Sequence, residues 1–161
     1  MSDCEYTLRG FREEDAPALS QLTRSAIAAV GPHAYSEKQV AVWLARHSGP
    51  ERFIERARGG HRMILAVDRH GKAAAYTLLE PDGHLDMLYC HPDHTRRGLA
   101  DRLLSAAEDL AREMGLMRLY TEASDLARPA FERAGYKATE RREFELDGVA
   151  IHNWAMEKRL G

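Results

Sequence analysis

Two long stretches of the chain place apolar residues three or four positions apart, the spacing of a helix with one buried face. The first predicts a helix that starts after Asp15 and whose apolar face comprises Leu19, Leu22, Ala26 and Val30. The second predicts a helix from about Gly98 onward, with an apolar stripe of Leu99, Leu103, Ala107, Leu110 and Met114. Shorter helical patterns cover residues 36–47, 50–57 and 125–134.

Elsewhere the pattern changes to short runs of strand-forming residues that are bounded by turn signals. Gly71 marks one turn, and Asp147-Gly148 is the strongest short hairpin signal in the chain. The predicted strands are residues 5–9, 61–67, 72–80, 83–90, 116–123, 141–146 and 149–157. This order predicts an α/β fold of the α+β type, with a mixed, mostly antiparallel central sheet of about seven strands flanked by helices.

Length and composition favour a soluble globular protein with one domain over residues 1–161. The net charge of −2 argues against a broad nucleic-acid surface, and the apolar runs are too short to cross a membrane. Cys4 and Cys90 make no disulfide framework, which favours a reducing compartment. Since the first residues show no secretory pattern, we expect a cytoplasmic location.

The most informative stretch is HPDHTRRGLADRLL, residues 91–104, which leads from a turn into the second long helix. The first N–H groups of a helix lack partners and carry partial positive charge, so a helix start can bind an anion. Gly98 leaves the backbone open to a ligand, Ala100 keeps the next turn small, and Arg96 and Arg97 add positive charge. We expect a phosphate or pyrophosphate here; the alternative is that Gly98 only opens the helix and the arginines are solvated. The chain has no P-loop motif, and this stretch lacks the third glycine of a dinucleotide fingerprint.

Two segments together make the chain resemble the GNAT superfamily of acetyl-coenzyme A dependent acyltransferases. LYCHPDHTRRGLADRLL, residues 88–104, resembles the family's strand, turn and (Q/R)-x-x-G-x-(G/A) loop. TEASDLARPAFERAGY, residues 121–136, is similar to the family's strand followed by N-x-x-A-x-x-x-Y-x-x-x-G-(F/Y). Their order and separation make the pair far more specific than either segment alone, and the likeness covers residues 5–160. YSEKQVAVW and HNWAMEKRL further resemble a bacterial YafP-like branch of the superfamily.

The resemblance implies the GNAT fold, acetyl-coenzyme A as co-substrate and a set of cofactor-binding residues. The backbone of Leu88, Tyr89 and Cys90 would bind the pantetheine arm where two neighbouring strands splay apart. Ser124 would contact the cofactor in place of the family's asparagine. The pyrophosphate would be lined, mostly through backbone N–H groups, by Arg96, Arg97, Gly98, Leu99, Ala100 and Asp101.

The chain departs from the family pattern at three positions. Thr95 replaces the usual Gln or Arg, which removes a long donor and leaves the backbone N–H groups in place. Ser124 supplies a shorter side chain than asparagine. Phe131 stands where many members carry the tyrosine that protonates the departing thiolate, and phenylalanine cannot give a proton. Another group, such as Tyr89, Tyr136 or Ser124, would have to fill that role.

Amine acetylation also needs a group that takes the ammonium proton. Asp86 is the first candidate base, because it precedes Leu88 by two residues on a predicted strand; the alternative is a carboxylate paired with an arginine. His84 and Glu122 are further candidates. His91 and His94 raise the question of a metal, but a structural zinc site needs four ligands, so we predict none.

The sequence supports two functions from different classes. The first is an enzyme that moves an acetyl group to an amine of a small molecule or peptide by direct attack on the thioester. The second is an acyl-coenzyme A binding module without turnover. The resemblance implies neither a nucleic-acid nor a membrane partner, and a homodimer is compatible with it. The residues that would border the acceptor site are Tyr35, Gln39, Trp43, His152 and Asn153. The alternatives are that Trp43 belongs to the core and that His152 and Asn153 are ordinary polar residues on a sheet face.

Overall fold

A computed structural model describes residues 5–47 and 49–161, so the predicted free Cys4 lies outside the described residues. The elements in chain order are β1 Tyr6–Gly10, α1 Ala16–Val30, α2 Glu37–Ala45, α3 Glu51–Arg58, β2 Arg62–Asp68, β3 Ala73–Leu79, β4 Leu85–Cys90, α4 Leu99–Glu113, β5 Arg118–Ala123, α5 Arg128–Arg133, β6 Lys137–Leu146 and β7 Val149–Arg159. None of the helices in these ranges has both the length and the apolar character needed to cross a membrane.

The seven strands form two antiparallel sheets that meet at β4 and β5. The first sheet has the order β1-β2-β3-β4 and the second the order β5-β7-β6. The predicted α+β class with seven mostly antiparallel strands and flanking helices is therefore confirmed. The single central sheet of the prediction is instead divided, since β4 and β5 are joined by one isolated parallel bridge between His84 and Tyr120.

The buried face of α4 is wider than the predicted stripe. Leu99, Leu103 and Ala107 are buried as predicted, whereas Leu110 and Met114 are half-buried. Leu104 and Ala111 are buried instead. The helix packs against β2 and β3 with one row of side chains and against the β5 side of the core with another. A single helical row in the sequence cannot reveal that two surfaces cover the helix.

The second helix begins as its sequence indicates. The Ser36 hydroxyl accepts a hydrogen bond from the N–H of Gln39, and the Gln39 side chain accepts one from the N–H of Ser36. This reciprocal cap satisfies two donors that the helix itself cannot. Gln39 also donates to the carbonyl of Ala150 at 2.9 Å, which ties α2 to β7.

The final hairpin confirms the Asp147-Gly148 turn. Both residues have positive φ, 49° and 80°, as a two-residue hairpin turn of this type requires. The first strand of the hairpin starts at Lys137, four residues earlier than predicted. Its added segment is largely exposed and polar, so apolar alternation gives no signal there, and pairing with β7 defines the strand instead.

Candidate active site

The gap between β4 and β5, called the seam below, is closed at one end and open at the other. At the closed end the N–H of Tyr120 donates to the carbonyl of Gly83 at 3.1 Å, and the Thr121 hydroxyl donates to the carbonyl of Leu85 at 2.7 Å. A Cβ on Gly83 would lie 2.4 Å from the carbonyl oxygen of Arg118, so this approach requires glycine. Beyond it, no backbone pairing joins the two strands in the described ranges, which leaves one edge of β4 unpaired from Met87 onward.

A cavity of about 630 Å³ follows the open seam. Its walls come from both sheets and from α1, α2, α3, α4 and α5. Of the residues predicted to bind the cofactor, five line this cavity: Leu88, Tyr89, Cys90, Ala100 and Ser124. The splay between neighbouring strands that the resemblance implied is thus present, and the cavity occupies it.

The anion turn, residues 95–98, leads from β4 into α4 and has an unusual backbone. Arg96 and Gly98 both have positive φ, 62° and 74°. Left-handed residues in such a turn bring successive N–H groups to one side, where they can surround an anion. Gly98 precedes the helix without a side-chain cap, and a Cβ there would meet nothing within 4 Å. The backbone at Gly98 is therefore open to a ligand on the side where a Cβ would stand.

The remaining predicted phosphate residues lie at this turn and outside the cavity wall. Arg96, Arg97, Gly98 and Asp101 are exposed, whereas the Leu99 side chain is buried in the core. Only the backbone of Leu99 is therefore available to a ligand. Their partners also differ: Arg97 pairs with Glu5 at 3.0 Å, and Asp101 pairs with Arg133 at 3.2 Å. Arg96 has no acidic partner among the residues that the structure describes.

The cavity is bordered on the other side by a group of residues called the α2 end. It comprises Trp43 in α2, Arg46 and His47 just after this helix, and Arg52 from the first turn of α3, which packs beside them. The indole of Trp43 donates to the Tyr89 hydroxyl at 3.2 Å, and Nε2 of His47 lies 3.3 Å from the same oxygen. Burial raises the pKa of Tyr89. Burial, followed by the charge of Arg52, lowers the pKa of His47 to about 4, so this imidazole is neutral near pH 7. Tyr89 therefore shows its backbone to the seam and holds its hydroxyl against α2.

Asp86 lies in a β-bulge of β4. Its neighbours Leu85 and Met87 pair with consecutive residues of β3, which leaves Asp86 as the extra residue. A bulge bends its strand and changes the direction of a side chain, and Asp86 lines the cavity. Its Oδ2 accepts a hydrogen bond from Nη1 of Arg56 at 2.5 Å. The arginine pairing that the sequence left open as the alternative is present, and the carboxylate still borders the cavity.

A chain of charged side chains connects Asp86 with Glu122 beneath the seam. Arg56 bonds to both Asp86 and Glu80, His84 lies 3.0 Å from Glu80 through Nδ1, and its Nε2 lies 2.8 Å from Glu122. Burial lowers the pKa of His84, but the hydrogen bonds and charges of Glu122 and Glu80 outweigh it and raise the pKa to about 9. His84 is thus protonated near pH 7 and uses both ring nitrogens. It does not line the cavity, whereas Asp86 and Glu122 do.

Glu80, His84 and Asp86 present ligand-type atoms within 4.8 Å of one another. The guanidinium of Arg56 already bonds to both carboxylates, at 2.7 Å and 2.5 Å. The positive charge of Arg56 thus already neutralises the two carboxylates that would otherwise be available to a metal ion. This cluster is explained by its own ion pairs.

The histidine pair of the HPDH turn is engaged elsewhere. Nδ1 of His94 lies 2.7 Å from the Tyr6 hydroxyl, and Nδ1 of His91 accepts from the N–H of Asp93 at 3.1 Å. These contacts fix the turn between β4 and α4. The pair therefore has a structural explanation in the fold.

Phe131 lines the cavity from α5 and is 3% exposed. Tyr136 packs edge-to-face against it, with ring centroids 5.0 Å apart. The Tyr136 hydroxyl is buried without a hydrogen-bond partner, and burial raises its pKa. Tyr136 is absent from the cavity wall, which argues against it as a proton donor. Ser124 does line the wall, and its hydroxyl accepts from the N–H of Ala127 at 3.1 Å.

The part of the cavity wall near β7 also contains a network that the sequence did not predict. Nε2 of His152 lies 2.8 Å from Asp125, and the indole of Trp154 donates to the same carboxylate at 2.7 Å. The N–H of Asp125 donates to the Tyr35 hydroxyl at 2.9 Å. Tyr35, Trp43, His152 and Asn153 line the cavity as expected, but Gln39 does not and instead bonds to Ala150. No local signal marks Asp125, because its partner lies 27 residues further along the chain.

A family model described as an acetyltransferase (GNAT) domain matches residues 32–159, most of the chain. The chain belongs to the GNAT family of acetyltransferases. It is 24% identical over 149 residues to the uncharacterized N-acetyltransferase YafP of Escherichia coli (strain K12), covering 92% of this chain and 93% of YafP. This membership confirms the resemblance to GNAT enzymes and to the YafP-like branch.

Solved structures agree with this assignment. A GCN5-related N-acetyltransferase from Rhodopseudomonas palustris superposes with a TM-score of 0.87 at 31% identity, covering 97% of this chain and 96% of that one. PaiA N-acetyltransferase from Thermoplasma acidophilum, solved in complex with coenzyme A, gives a TM-score of 0.76 at 19% identity, with 96% and 98% covered. The second likeness shows the shared fold.

Proposed function

We propose that this GNAT acetyltransferase uses acetyl-coenzyme A to acetylate an amine of a small molecule or peptide, by direct attack on the thioester. The observation that carries the proposal is one continuous cavity that follows the seam and has carboxylates on its wall. The anion turn lies beside the same seam. We treat residues 1–161 as one domain with this activity.

The cofactor would bind mainly to backbone. The unpaired edge of β4 at Leu88–Cys90 offers hydrogen bonds to the pantetheine arm, and the N–H groups of the anion turn and of the start of α4 suit a pyrophosphate. The absence of a Cβ at Gly98 supports close approach of the phosphates. Coenzyme A in the Thermoplasma acidophilum structure, which has the same fold, supports this choice of cofactor.

In the proposed reaction the neutral amine attacks the thioester carbonyl carbon and forms a C–N bond. The C–S bond then breaks, the nitrogen that has formed the new bond loses a proton to water, and the products are the acetylated amine and the coenzyme A thiolate. A backbone N–H at the unpaired edge of β4 can stabilise the oxygen anion that develops. The sulfur leaves readily, since an ordinary thiol has a pKa of about 8.5. Phe131 cannot give the proton, so we assign protonation of the thiolate to solvent.

Asp86 remains our proposed base, acting directly or through a water molecule. It lines the cavity, and Arg56 holds only one of its two oxygens in the described structure. Glu122 is the alternative, since it also lines the cavity with one oxygen held by His84. His84 is a poor base because its two nitrogens are engaged and its pKa is about 9. The structure therefore favours a carboxylate over the imidazole.

The direct test incubates the purified protein with acetyl-coenzyme A and a panel of amines. Thiol release and the acetylated amine are measured together, and a reaction without amine corrects for hydrolysis. We expect one acetylated product for each thiol released. Thiol release that does not depend on any amine would contradict the proposal.

The second candidate is an acyl-coenzyme A binding module without turnover. Phe131 favours it, because the side chain on the cavity wall has no proton to give. This candidate predicts that calorimetry detects acetyl-coenzyme A binding while every amine leaves the thioester intact. The same two measurements therefore separate the two functions.

A further inference from the structure

We infer that the acceptor amine also carries a negatively charged group, with a carboxylate as the simplest case, and that Arg46 and Arg52 bind this group. The inference rests on the proposed function and narrows its substrate class to anionic amines such as amino acids. It comes from two arginines at the α2 end that line the cavity and have no acidic partner.

The two arginines differ from the other charged groups of the cavity. Asp86 is paired with Arg56, Glu122 with His84, and His152 with Asp125. In residues 5–47 and 49–161, by contrast, no carboxylate lies within ion-pair distance of Arg46 or Arg52. Both residues are exposed where they border the cavity, so an entering ligand can reach them, and two unpaired positive charges at this position favour an anionic one.

Capping of α2 is the ordinary explanation for these arginines, and it accounts for only part of the arrangement. Nη1 of Arg52 donates to the carbonyl of Arg46 at 3.2 Å, near the end of the helix. Arg24 already serves this end, donating to the carbonyls of Leu44 at 3.1 Å and His47 at 3.0 Å, and it does not line the cavity. The Arg46 side chain makes no hydrogen bond among the described residues. Capping therefore does not explain why Arg46 and Arg52 border the cavity.

The anchored geometry of Arg52 suits recognition of a carboxylate. One of its N–H groups is held by the Arg46 carbonyl, which limits its motion, and the other donors of the guanidinium have no partner in the described structure. Guanidinium groups bind carboxylates through paired N–H donors. The neighbouring His47 is neutral, since burial and then Arg52 lower its pKa to about 4, so the charge at the α2 end comes from the arginines.

The charges also agree with the direction of the proposed reaction. Asp86 borders the cavity from β4, and α3 contributes both Arg52 and, one turn further along, the Asp86 partner Arg56. An acceptor with one ammonium and one carboxylate can place its ammonium near Asp86 and its carboxylate near the arginines. A purely cationic amine would instead meet positive charge at this end.

The test compares amino acids with their amides, which keep the amine and lose the negative charge. With wild-type protein we expect higher kcat/KM for the acids. Arg52→Gln and Arg46→Gln should each lower kcat/KM for the acids by roughly ten- to a hundredfold, the scale for losing a hydrogen bond to a charged group, and leave the amides nearly unchanged. Arg24→Gln is the matched control, because it removes a cap from the same helix end without altering the cavity wall.

Calorimetry with coenzyme A separates this anion from the phosphates of the cofactor. We expect the coenzyme A affinity of Arg52→Gln to equal that of wild type; a large loss would assign the arginines to the cofactor and overturn the inference. Equal losses in Arg52→Gln and Arg24→Gln would show a capping effect and also overturn it. Amide acetylation that matches acid acetylation in wild type would refute the anionic acceptor while the proposed function stands. Absence of transfer to every acid and amide would remove the proposed function itself, and this inference with it.

Discussion

The two sides of the cavity are built in different ways. Near the anion turn the features suited to a ligand belong to the backbone: the unpaired edge of β4, two left-handed residues and the first N–H groups of α4. At the α2 end and along β7 they belong to side chains, with arginines, imidazoles and carboxylates that come from separate elements. Backbone donors can bind a common cofactor with little dependence on neighbouring side chains. Side chains from several elements can change independently, which suits a site that selects the acceptor.

Gly98→Glu is the strongest way to break the backbone side alone. The new carboxylate would fill the open space at the start of α4 and repel a phosphate, so we expect coenzyme A binding to be lost. Left-handed glutamate at this position also costs about 1–2 kcal/mol of folding stability. Gly71→Glu is the control, because Gly71 has a similar φ of 82°, open space around its Cβ and no place in the cavity wall. If calorimetry shows that a folded Gly98→Glu protein binds coenzyme A with wild-type affinity, the proposed phosphate site at Gly98 is wrong.

Substitutions of Phe131 test a part of the cavity wall that belongs neither to the anion turn nor to the α2 end. Phe131→Ala should lower the free energy of unfolding by roughly 3–5 kcal/mol, the usual cost of removing a buried aromatic ring. Phe131→Tyr keeps the shape and adds a donor, so turnover should stay equal or rise. Urea denaturation measures the first effect and the thiol assay the second. If the wild type is active and Phe131→Tyr has strongly reduced turnover, the prediction is wrong and the apolar ring itself is needed.

Asp86→Asn should impair the chemistry of the side chains on the cavity wall and leave cofactor binding by the backbone unchanged. The amide keeps the size and cannot accept the ammonium proton, so we expect kcat to fall by roughly a hundredfold or more. Coenzyme A affinity should remain that of wild type. Glu122→Gln is the matched comparison, since Glu122 also lines the cavity with one oxygen held by a cationic partner. If Glu122→Gln loses the activity and Asp86→Asn keeps it, the role of base moves to Glu122.

The smallest effect concerns His84, which links the two sheets below the seam. Its pKa of about 9 lies above the ordinary 6.5, so folding takes up a proton here. The stabilisation is fully present below pH 6.5 and is lost as the pH rises through about 9. Urea denaturation across this pH range should show the decline in wild type and a flatter profile in His84→Gln; parallel profiles would contradict the ion-pair account.

Local patterns in the sequence predict those elements whose cause is local. Asp147-Gly148 forms its predicted turn, Gly98 opens α4, and the reciprocal cap of α2 comes from Ser36 and Gln39, which are three residues apart. Each of these depends on residues within about one helical turn of one another. The family resemblance also predicted where the two strands separate, because the family motif covers a strand, a turn and a helix in one continuous segment.

The parts that escaped prediction depend on partners far apart in the chain. Arg56 pairs with Asp86 across 30 residues and His152 with Asp125 across 27, and no spacing rule connects them. The bulge at Asp86 is visible only in the register against β3. The same holds for Arg46 and Arg52: the sequence shows two charges near helix ends, and only the fold shows that these exposed residues border the cavity. The acceptor side is therefore the part that one sequence reveals least.

The open seam also has a consequence for how the protein survives in a cell. The two sheets share one isolated bridge, so a pantetheine arm bound along β4 as proposed would fill the gap between them. Because only the folded chain has this gap, the ligand would shift the folding equilibrium by about 2.7 kcal/mol when its free concentration is 100 times its Kd. A bound pantetheine arm would thus also lower the fraction of unfolded chain that a protease can cut.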